Sequence, residues 1–407
     1  MRICDLTHAY TDTSGGIRTY IDAKRRHILN LTDWEHTLVI PSSEDRVEHE
    51  GRLTTIHIKG PLIPGAEPYR LLFRADKVLA ALEEVDPHLI ELTSQYTCPW
   101  MAYWYRRRAA RQGRRCAISG FYLTDLPSAY VEPAAARLAG DRAGRIAKTG
   151  ASHYVRNMLN RADLVMTTTD DLADSLRAMG VDRPVKTAHL GVDTEMFRPD
   201  RRSDQARARF GAGPDDLILV YAGRLDSEKD VLTLADAFER LPDEHGARLV
   251  LMGEGSRREV LTQRAAAIEA REGEPRLFVL PYVDQKEELA ELLASSDIYV
   301  TAGPHETFAL SVVEAQAAGL PVVGVAAGAL RDRVPERLGR LGPVGDADAM
   351  ARNITHVAHR RHEMGQAARE HVVKHLSWES TFSAIFSAYQ SVAPVTAPTV
   401  PSLPIAA

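Results

Sequence analysis

The sequence predicts an α/β protein made of two successive domains, each built on a mainly parallel sheet. Three observations carry this expectation. Short apolar runs alternate with longer amphipathic stretches along nearly the whole chain, the pattern of right-handed βαβ units. The alternation pauses at a polar, charged stretch, Arg198-Pro199-Asp200-Arg201-Arg202, and then restarts. The 407 residues exceed one compact core and suit two, since domains of roughly 100–200 residues are the norm.

The opening run Arg2-Ile3-Cys4-Asp5-Leu6 reads as a buried strand, and Ser14-Gly15-Gly16 leads into a helix over 17–31. Apolar runs at 38–40, 55–58, 89–92, 116–119 and 164–167 supply further strands of a first domain, residues 1–198. In a second domain, 199–376, strands are expected at 217–221, 248–252, 277–280, 298–301 and 321–325. Residues 377–391 read as an amphipathic helix crossing back to the first domain. Residues 392–407, rich in Pro, Ala and Val without charge, read as a disordered tail. Two such halves imply a cleft faced by the carboxyl ends of both sheets.

Composition removes several function classes. Hydrophobic residues make up 44% of the chain, and no window approaches the ~20 unbroken apolar residues of a membrane span. Met1 runs straight into a strand pattern with no signal-peptide layout. Cys4, Cys98 and Cys116 lie far apart, which fits reduced thiols and a cytoplasmic setting. A net charge of -5 gives no footprint for nucleic acid. The dinucleotide pattern GxGxxG is absent, so no NAD site is expected. The fifteen histidines are read as holding no zinc site. Asp346-Ala347-Asp348 looks like a metal-binding Asp-x-Asp but lies in a Gly/Asp loop, and reads as a helix cap.

The most informative stretch runs from Gly303-Pro304-His305-Glu306-Thr307-Phe308-Ala309-Leu310 through Glu314 to Gly319-Leu320-Pro321-Val322-Val323. It leaves a strand, turns, and enters a helix. Backbone N–H groups of residues 307–311 would be open at that helix start, ready for an anionic or hydroxyl-rich ligand. Glu306 sits in the loop, and Glu314 about two turns into the helix, where a carboxylate can accept two hydrogen bonds from a vicinal diol. By spacing alone, the competing reading is a solvated helix face. Gly223-Arg224 ends another strand and Lys229 follows near the next helix start. Two fixed cations there would stabilise a diphosphate leaving group without a metal. The bland alternative is an ordinary surface Arg and Lys. Gly15 and Gly16 allow backbone to approach a phosphate at a helix start.

These segments resemble the Glu-x7-Glu region of the retaining glycosyltransferases of family 4, which have the GT-B fold of two facing Rossmann-like domains. Tyr221-Ala222-Gly223-Arg224-Leu225, Gly253-Glu254-Gly255, Ala294-Ser295-Ser296-Asp297 and Gly319 to Val323 extend the likeness. It covers nearly the whole chain, strongly over 217–325 and more loosely before 165. The Ser-Gly-Gly-Ile-Arg-Thr start (14–19) and Pro-His-Glu-Thr-Phe (304–308) look most like bacterial α-mannosyltransferases acting on lipid or inositol-containing acceptors. The resemblance implies a catalytic set of Glu306 at the donor hexose with Arg224 and Lys229 at the diphosphate, and leaves Glu228 and Asp230 as solvated neighbours. It places Glu314 on the ribose hydroxyls, and the amides of Phe308, Ala309 and Leu310 on sugar or phosphate oxygens. Gly15, Gly16 and Gly223 approach the donor, and Tyr282 and Val283 offer backbone to the nucleobase.

One departure stands out. In Phe121-Tyr122-Leu123-Thr124-Asp125-Leu126-Pro127 the family usually has histidine where this chain has Leu123. A backbone carbonyl survives that change, and Tyr122 or Asp125 is expected to compensate. Arg70, after Pro68-Tyr69, is the candidate for an anionic acceptor group. The basic run Tyr105 to Arg108 with Arg111, Arg114 and Arg115 reads as a solvated helix packed through Trp100, Tyr103 and Trp104. Its alternative is peripheral contact with anionic lipid headgroups. The implied activity moves a hexose, mannose from GDP-mannose in first place, to a hydroxyl of a lipid, glycan or small-molecule acceptor. The nucleotide-sugar is a substrate, and neither cofactor nor metal is expected. A UDP-sugar donor, a sugar-nucleotide epimerase and a non-catalytic nucleotide-sugar binding protein are the competing readings.

Overall fold

The computed structural model describes residues 1–11, 16–63, 68–123, 125–242, 246–306 and 308–393. The chain divides into two compact units, one formed by Met1–Ala188 with the segment from Thr381 onward, the other by His189–Ser380.

The first unit holds eight strands: β1 Arg2–Leu6, β2 Glu35–Ser42, β3 Arg46–Glu50, β4 Leu53–Lys59, β5 Leu89–Leu92, β6 Ala117–Tyr122, β7 Leu164–Thr167 and β8 Val185–Thr187. They form one sheet in the order β3-β4-β2-β1-β5-β6-β7-β8, parallel except for the β3–β4 hairpin. The inner strands are buried throughout, which is why they read as unbroken apolar runs. β3 was not expected from the sequence. All five of its residues are exposed, so no apolar alternation marks it. Its charged Arg46, Glu48 and Glu50 suit an open sheet edge.

The second unit holds β9 Ile218–Ala222, β10 Arg248–Met252, β11 Leu277–Leu280, β12 Ile298–Val300, β13 Val322–Val325 and β14 Gly339–Gly342. All are parallel, in the order β11-β10-β9-β12-β13-β14. This is the strand order of a doubly wound nucleotide-binding sheet, and it reverses direction between β9 and β12. The matching reversal in the first sheet lies between β1 and β5.

The charged stretch expected as a linker is built into the second unit. Arg202 donates to the Ser296 carbonyl at 3.0 Å and to Asp297 at 3.0 Å, and the buried Arg207 meets the other Asp297 oxygen at 2.8 Å. Arg202 is thereby tied to the second unit, while Arg198 and Asp200 pair with each other on the surface. The last helix, Trp378–Val392, belongs to the first unit from Thr381. Phe382 and Phe386 lie against His27 and Trp34, with ring centroids 4.6 and 4.9 Å apart. The expected tail falls, from residue 394, outside the described residues. Among the described residues no helix is long and apolar enough to cross a membrane.

Candidate active site

The second sheet sends two loops out of its reversal point, residues 223–230 after β9 and 301–309 after β12. The first loop is fixed by the Gly253-Glu254-Gly255 turn beside it. Leu225 N–H donates to the Glu254 carbonyl at 2.8 Å. A Cβ on Gly253 would sit 1.9 Å from the Gly223 carbonyl oxygen, and one on Gly255 would sit 2.5 Å from the Leu225 carbonyl carbon. Only glycine lets the two backbones approach so closely.

That turn delivers Lys229 at the end of a short 3-10 segment, Ser227–Lys229. Its Nζ meets Glu306 Oε1 at 2.6 Å. Both side chains keep about a fifth of their surface, 22% and 18%, so the pair is reachable from solvent. Gly303 lies under the pair, where a Cβ would stand 3.3 Å from both Lys229 Cδ and Glu306 Oε1. Arg224 is held by Glu228 and by Asp226 at 3.3 Å. Glu228 is therefore an ion-pair partner and not the solvated neighbour expected, because a guanidinium four residues away lies within its reach. Asp230 turns inward too, accepting from Thr233 Oγ1 at 2.9 Å. Asp226, Glu228 and Glu306 thus already balance Arg224 and Lys229. An incoming diphosphate would take these cations over from carboxylates.

The second loop enters a helix, Leu310–Ala317, through Ala309 in the left-handed conformation, φ 61° and ψ 57°. A non-glycine residue there costs on the order of 1–3 kcal/mol, and such strain concentrates at ligand sites. The loop is clamped from behind. Glu306 carbonyl accepts from Ala329 N–H at 2.8 Å, and the Arg333 guanidinium lies 4.4 Å from the centroid of the buried Phe308 ring. Among the described residues no acceptor is paired with the amides of Phe308, Ala309 or Leu310, which leaves N–H groups open for ligand oxygens. Glu314 lies further along this helix. Burial pushes its carboxyl up to about 7, against the pull of Lys286.

Comparison with known proteins places this arrangement. A family model of glycosyl transferases group 1 matches residues 202–371, and one of glycosyltransferase family 4 matches residues 14–196. The chain is 30% identical over 326 residues, 79% of each chain, to a GDP-mannose-dependent alpha-(1-6)-phosphatidylinositol dimannoside mannosyltransferase of Mycobacterium tuberculosis. The chain belongs to glycosyltransferase family 4. It is a glycosyltransferase moving a hexose. A GDP-mannose-dependent alpha-mannosyltransferase of the same organism is 29% identical, covering 96% of this chain and 97% of its own. Solved structures bear out the GT-B fold. Sucrose-phosphate synthase from Thermosynechococcus elongatus superposes with a TM-score of 0.75 at 20% identity, covering 96% of this chain and 98% of its own. HepE of Anabaena, solved with UDP-glucose, gives 0.71 at 17% identity, covering 96% and 100%.

The structure brings together Gly223, Arg224, Lys229, Glu306, Phe308, Ala309, Leu310 and Glu314 of the family pattern. Tyr282 and Val283 follow the edge strand β11, two strands from β9, with Tyr282 38% exposed. In the first unit Gly16 opens the helix Gly16–Leu31, while Gly15 lies outside the described residues. Arg70 donates to the Gly60 carbonyl at 2.9 Å, so part of its guanidinium pins its own loop. Leu123 is buried. Tyr122 is buried as well and donates to Asp125 at 3.2 Å. Asp125 also accepts from Ser128 N–H at 3.4 Å. Burial leaves Tyr122 no surface to offer a sugar, so it does not replace the missing imidazole, whereas Asp125 stays half-buried.

The basic helix Cys98–Arg111 packs through Trp100, whose Nε1 donates to Tyr154 at 3.1 Å, and through the buried Tyr103 and Tyr105, while Arg106 meets Asp163 at 2.9 Å. The expectation is corrected at Trp104, which is 52% exposed because it lies on the solvent side of the helix. Asp346 caps its helix, accepting from Ala349 N–H at 2.8 Å. The reading of the histidines passed over His371 and His375, one turn apart with rings 5.0 Å apart. Among the described residues they gain no third ligand, and no group of three metal-ligating side chains occurs.

Sequence reasoning missed a buried cluster in the first unit. Lys24 Nζ lies 2.7 Å from Asp5 and 2.7 Å from Glu91, all three out of solvent. Tyr20 donates to Glu91 at 3.0 Å, and Tyr389 on the last helix donates to its other oxygen. An acidic residue inside each of two apolar strands, in Ile-Cys-Asp-Leu and Leu-Ile-Glu-Leu, was the available signal.

Proposed function

We propose that the enzyme transfers mannose from GDP-mannose to a hydroxyl of a glycan or lipid-linked acceptor, with retention and without a metal ion. The observation that carries this is the Lys229–Glu306 pair, 2.6 Å apart at the reversal of the second sheet, beside the open amides of Phe308, Ala309 and Leu310. The names of the mycobacterial relatives support mannose and GDP-mannose. Glu314 takes the ribose diol, and Glu306 orients the hexose once its ammonium partner turns to the diphosphate. The bond from sugar C1 to the diphosphate oxygen breaks as Arg224 and Lys229 stabilise the growing charge. The acceptor oxygen bonds C1 on the same face, and its proton passes to the departing diphosphate.

The test is incubation with GDP-mannose, UDP-glucose and UDP-N-acetylglucosamine in excess EDTA, following nucleotide release and the anomeric configuration of the product. GDP release with an α-mannosyl product supports the reading. Turnover with UDP-sugars alone, or a strict need for Mg²⁺ or Mn²⁺, overturns it.

A further inference from the structure

We infer that His8 and Tyr96 form a sugar-ring subsite in the first unit, built to seat a pyranose of the acceptor. The inference rests on the transferase reading above for the word acceptor, and on the first unit alone for the subsite.

The first sheet reverses between β1 and β5, and in open α/β sheets ligands gather beyond the carboxyl ends of the strands at such a reversal. β1 and β5 pair in parallel with Leu6 opposite Leu92. Continuing that register two residues onward sets His8 opposite Ser94, and the two side chains do meet, His8 Nδ1 bonding Ser94 Oγ. The imidazole and Tyr96 rings form a T-shaped pair, with centroids 4.7 Å apart and planes at 79°. The loop carrying Tyr96 is braced from below, since the Tyr154 hydroxyl lies 2.9 Å from the Gln95 carbonyl and 3.0 Å from that of Tyr96.

What this leaves uncovered is specific. Tyr96 keeps 43% of its surface open although it stands in a rigid loop. His8 is only partly buried, and among the described residues its Nε2 has no partner. Beside them Thr93 is 4% exposed, and its Oγ1 has no hydrogen-bond partner among the described residues. An open aromatic face takes the apolar C–H face of a pyranose, while a fixed imidazole nitrogen takes one ring hydroxyl. Burial holds the His8 imidazole down at about 4, so it meets a hydroxyl as a neutral group. His8, Thr93, Ser94 and Tyr96 carry no charge, which favours a neutral sugar over a phosphate.

The test is saturation-transfer NMR on the full chain with the methyl α-glycosides of mannose, glucose and galactose, without donor. Transfer to the ring C–H protons of at least one glycoside is expected, lost in Tyr96→Ala, retained in Tyr96→Phe and weakened about tenfold in His8→Ala. His8→Asn, which keeps a polar partner, should recover part of the loss. No transfer to any glycoside in the wild-type chain, or the same signal in folded Tyr96→Ala, overturns the subsite. Titration of the same wild-type sample with GDP-mannose reads the donor assignment separately. Absence of GDP-mannose binding with glycoside transfer intact would sink the donor and leave the subsite standing.

Discussion

Donor binding should release a proton from Glu314, and the amount follows from its surroundings. Burial holds this carboxyl at about 7 in the ligand-free protein. Two ribose hydroxyls donating to it would favour the ionised form and return it to the ordinary range near 4.5. At pH 6, about 0.9 proton should then leave per GDP-mannose bound, at pH 7 about half, and at pH 8 about a tenth. Affinity should weaken about tenfold from pH 8 to pH 6, or ~1.4 kcal/mol. The assay is calorimetric titration at each pH in buffers of different ionisation heat, whose slope counts protons. GDP-mannose suits this because its phosphates do not titrate in that window. Glu314→Gln should abolish both the release and the pH dependence. Proton uptake, or none released at pH 6 with tight binding, would refute the role of Glu314.

The same burial has a cost without ligand. The folded-state value lies above the unfolded one, so the folded state holds the extra proton between about pH 4.5 and 7, and stability falls as pH rises through that window. By pH 8 the penalty is at most about 3 kcal/mol. Ligand-free Glu314→Gln should therefore melt several degrees higher than wild type at pH 8, with no gain at pH 4.

Glu306→Ala should abolish transfer, and Lys229→Ala and Arg224→Ala should each cost ~10²-fold or more in kcat. Because Lys229 and Glu306 share a 2.6 Å contact, their double variant should weaken GDP-mannose binding by less than the product of the two single effects, as calorimetric titration would show. Lys24→Met should cost ~3–5 kcal/mol in urea unfolding, since it leaves Asp5 and Glu91 buried without their cation; a change below 1 kcal/mol would mean the cluster ionises otherwise. Leu123→Ala should keep most donor-dependent activity if the backbone carbonyl suffices. Leu123→His should change initial rates about tenfold at most.

The two sheets were legible because buried parallel strands must be apolar on both faces, so runs such as Leu-Ile-Leu-Val-Tyr mark them without help from distant residues. The segment from Gly303 to Val323 was legible for a similar local reason. A helix start, its open amides and the spacing of Glu306 from Glu314 are all properties of consecutive residues. Those features, with the resemblance they carry, made the family legible in the sequence and placed the residues proposed above for the donor site.

Only the tertiary structure decided how charges were shared. Nothing in the sequence couples Lys229 to Glu306 across 77 positions, Lys24 to Glu91 across 67, or Tyr389 to Glu91 across 298. Lys229 and Glu306 meet because strand order places the carboxyl ends of β9 and β12 side by side, and Glu91 in β5 meets Lys24 and Tyr389 because the helices Gly16–Leu31 and Trp378–Val392 carry them to it. His8 shows the same limit. It acquired Ser94 and Tyr96 only when parallel register set two strand ends level. Periodicity and local hydrogen bonding act within a few residues and can be read from a string, whereas electrostatic pairing acts through space, between residues that the fold brings together.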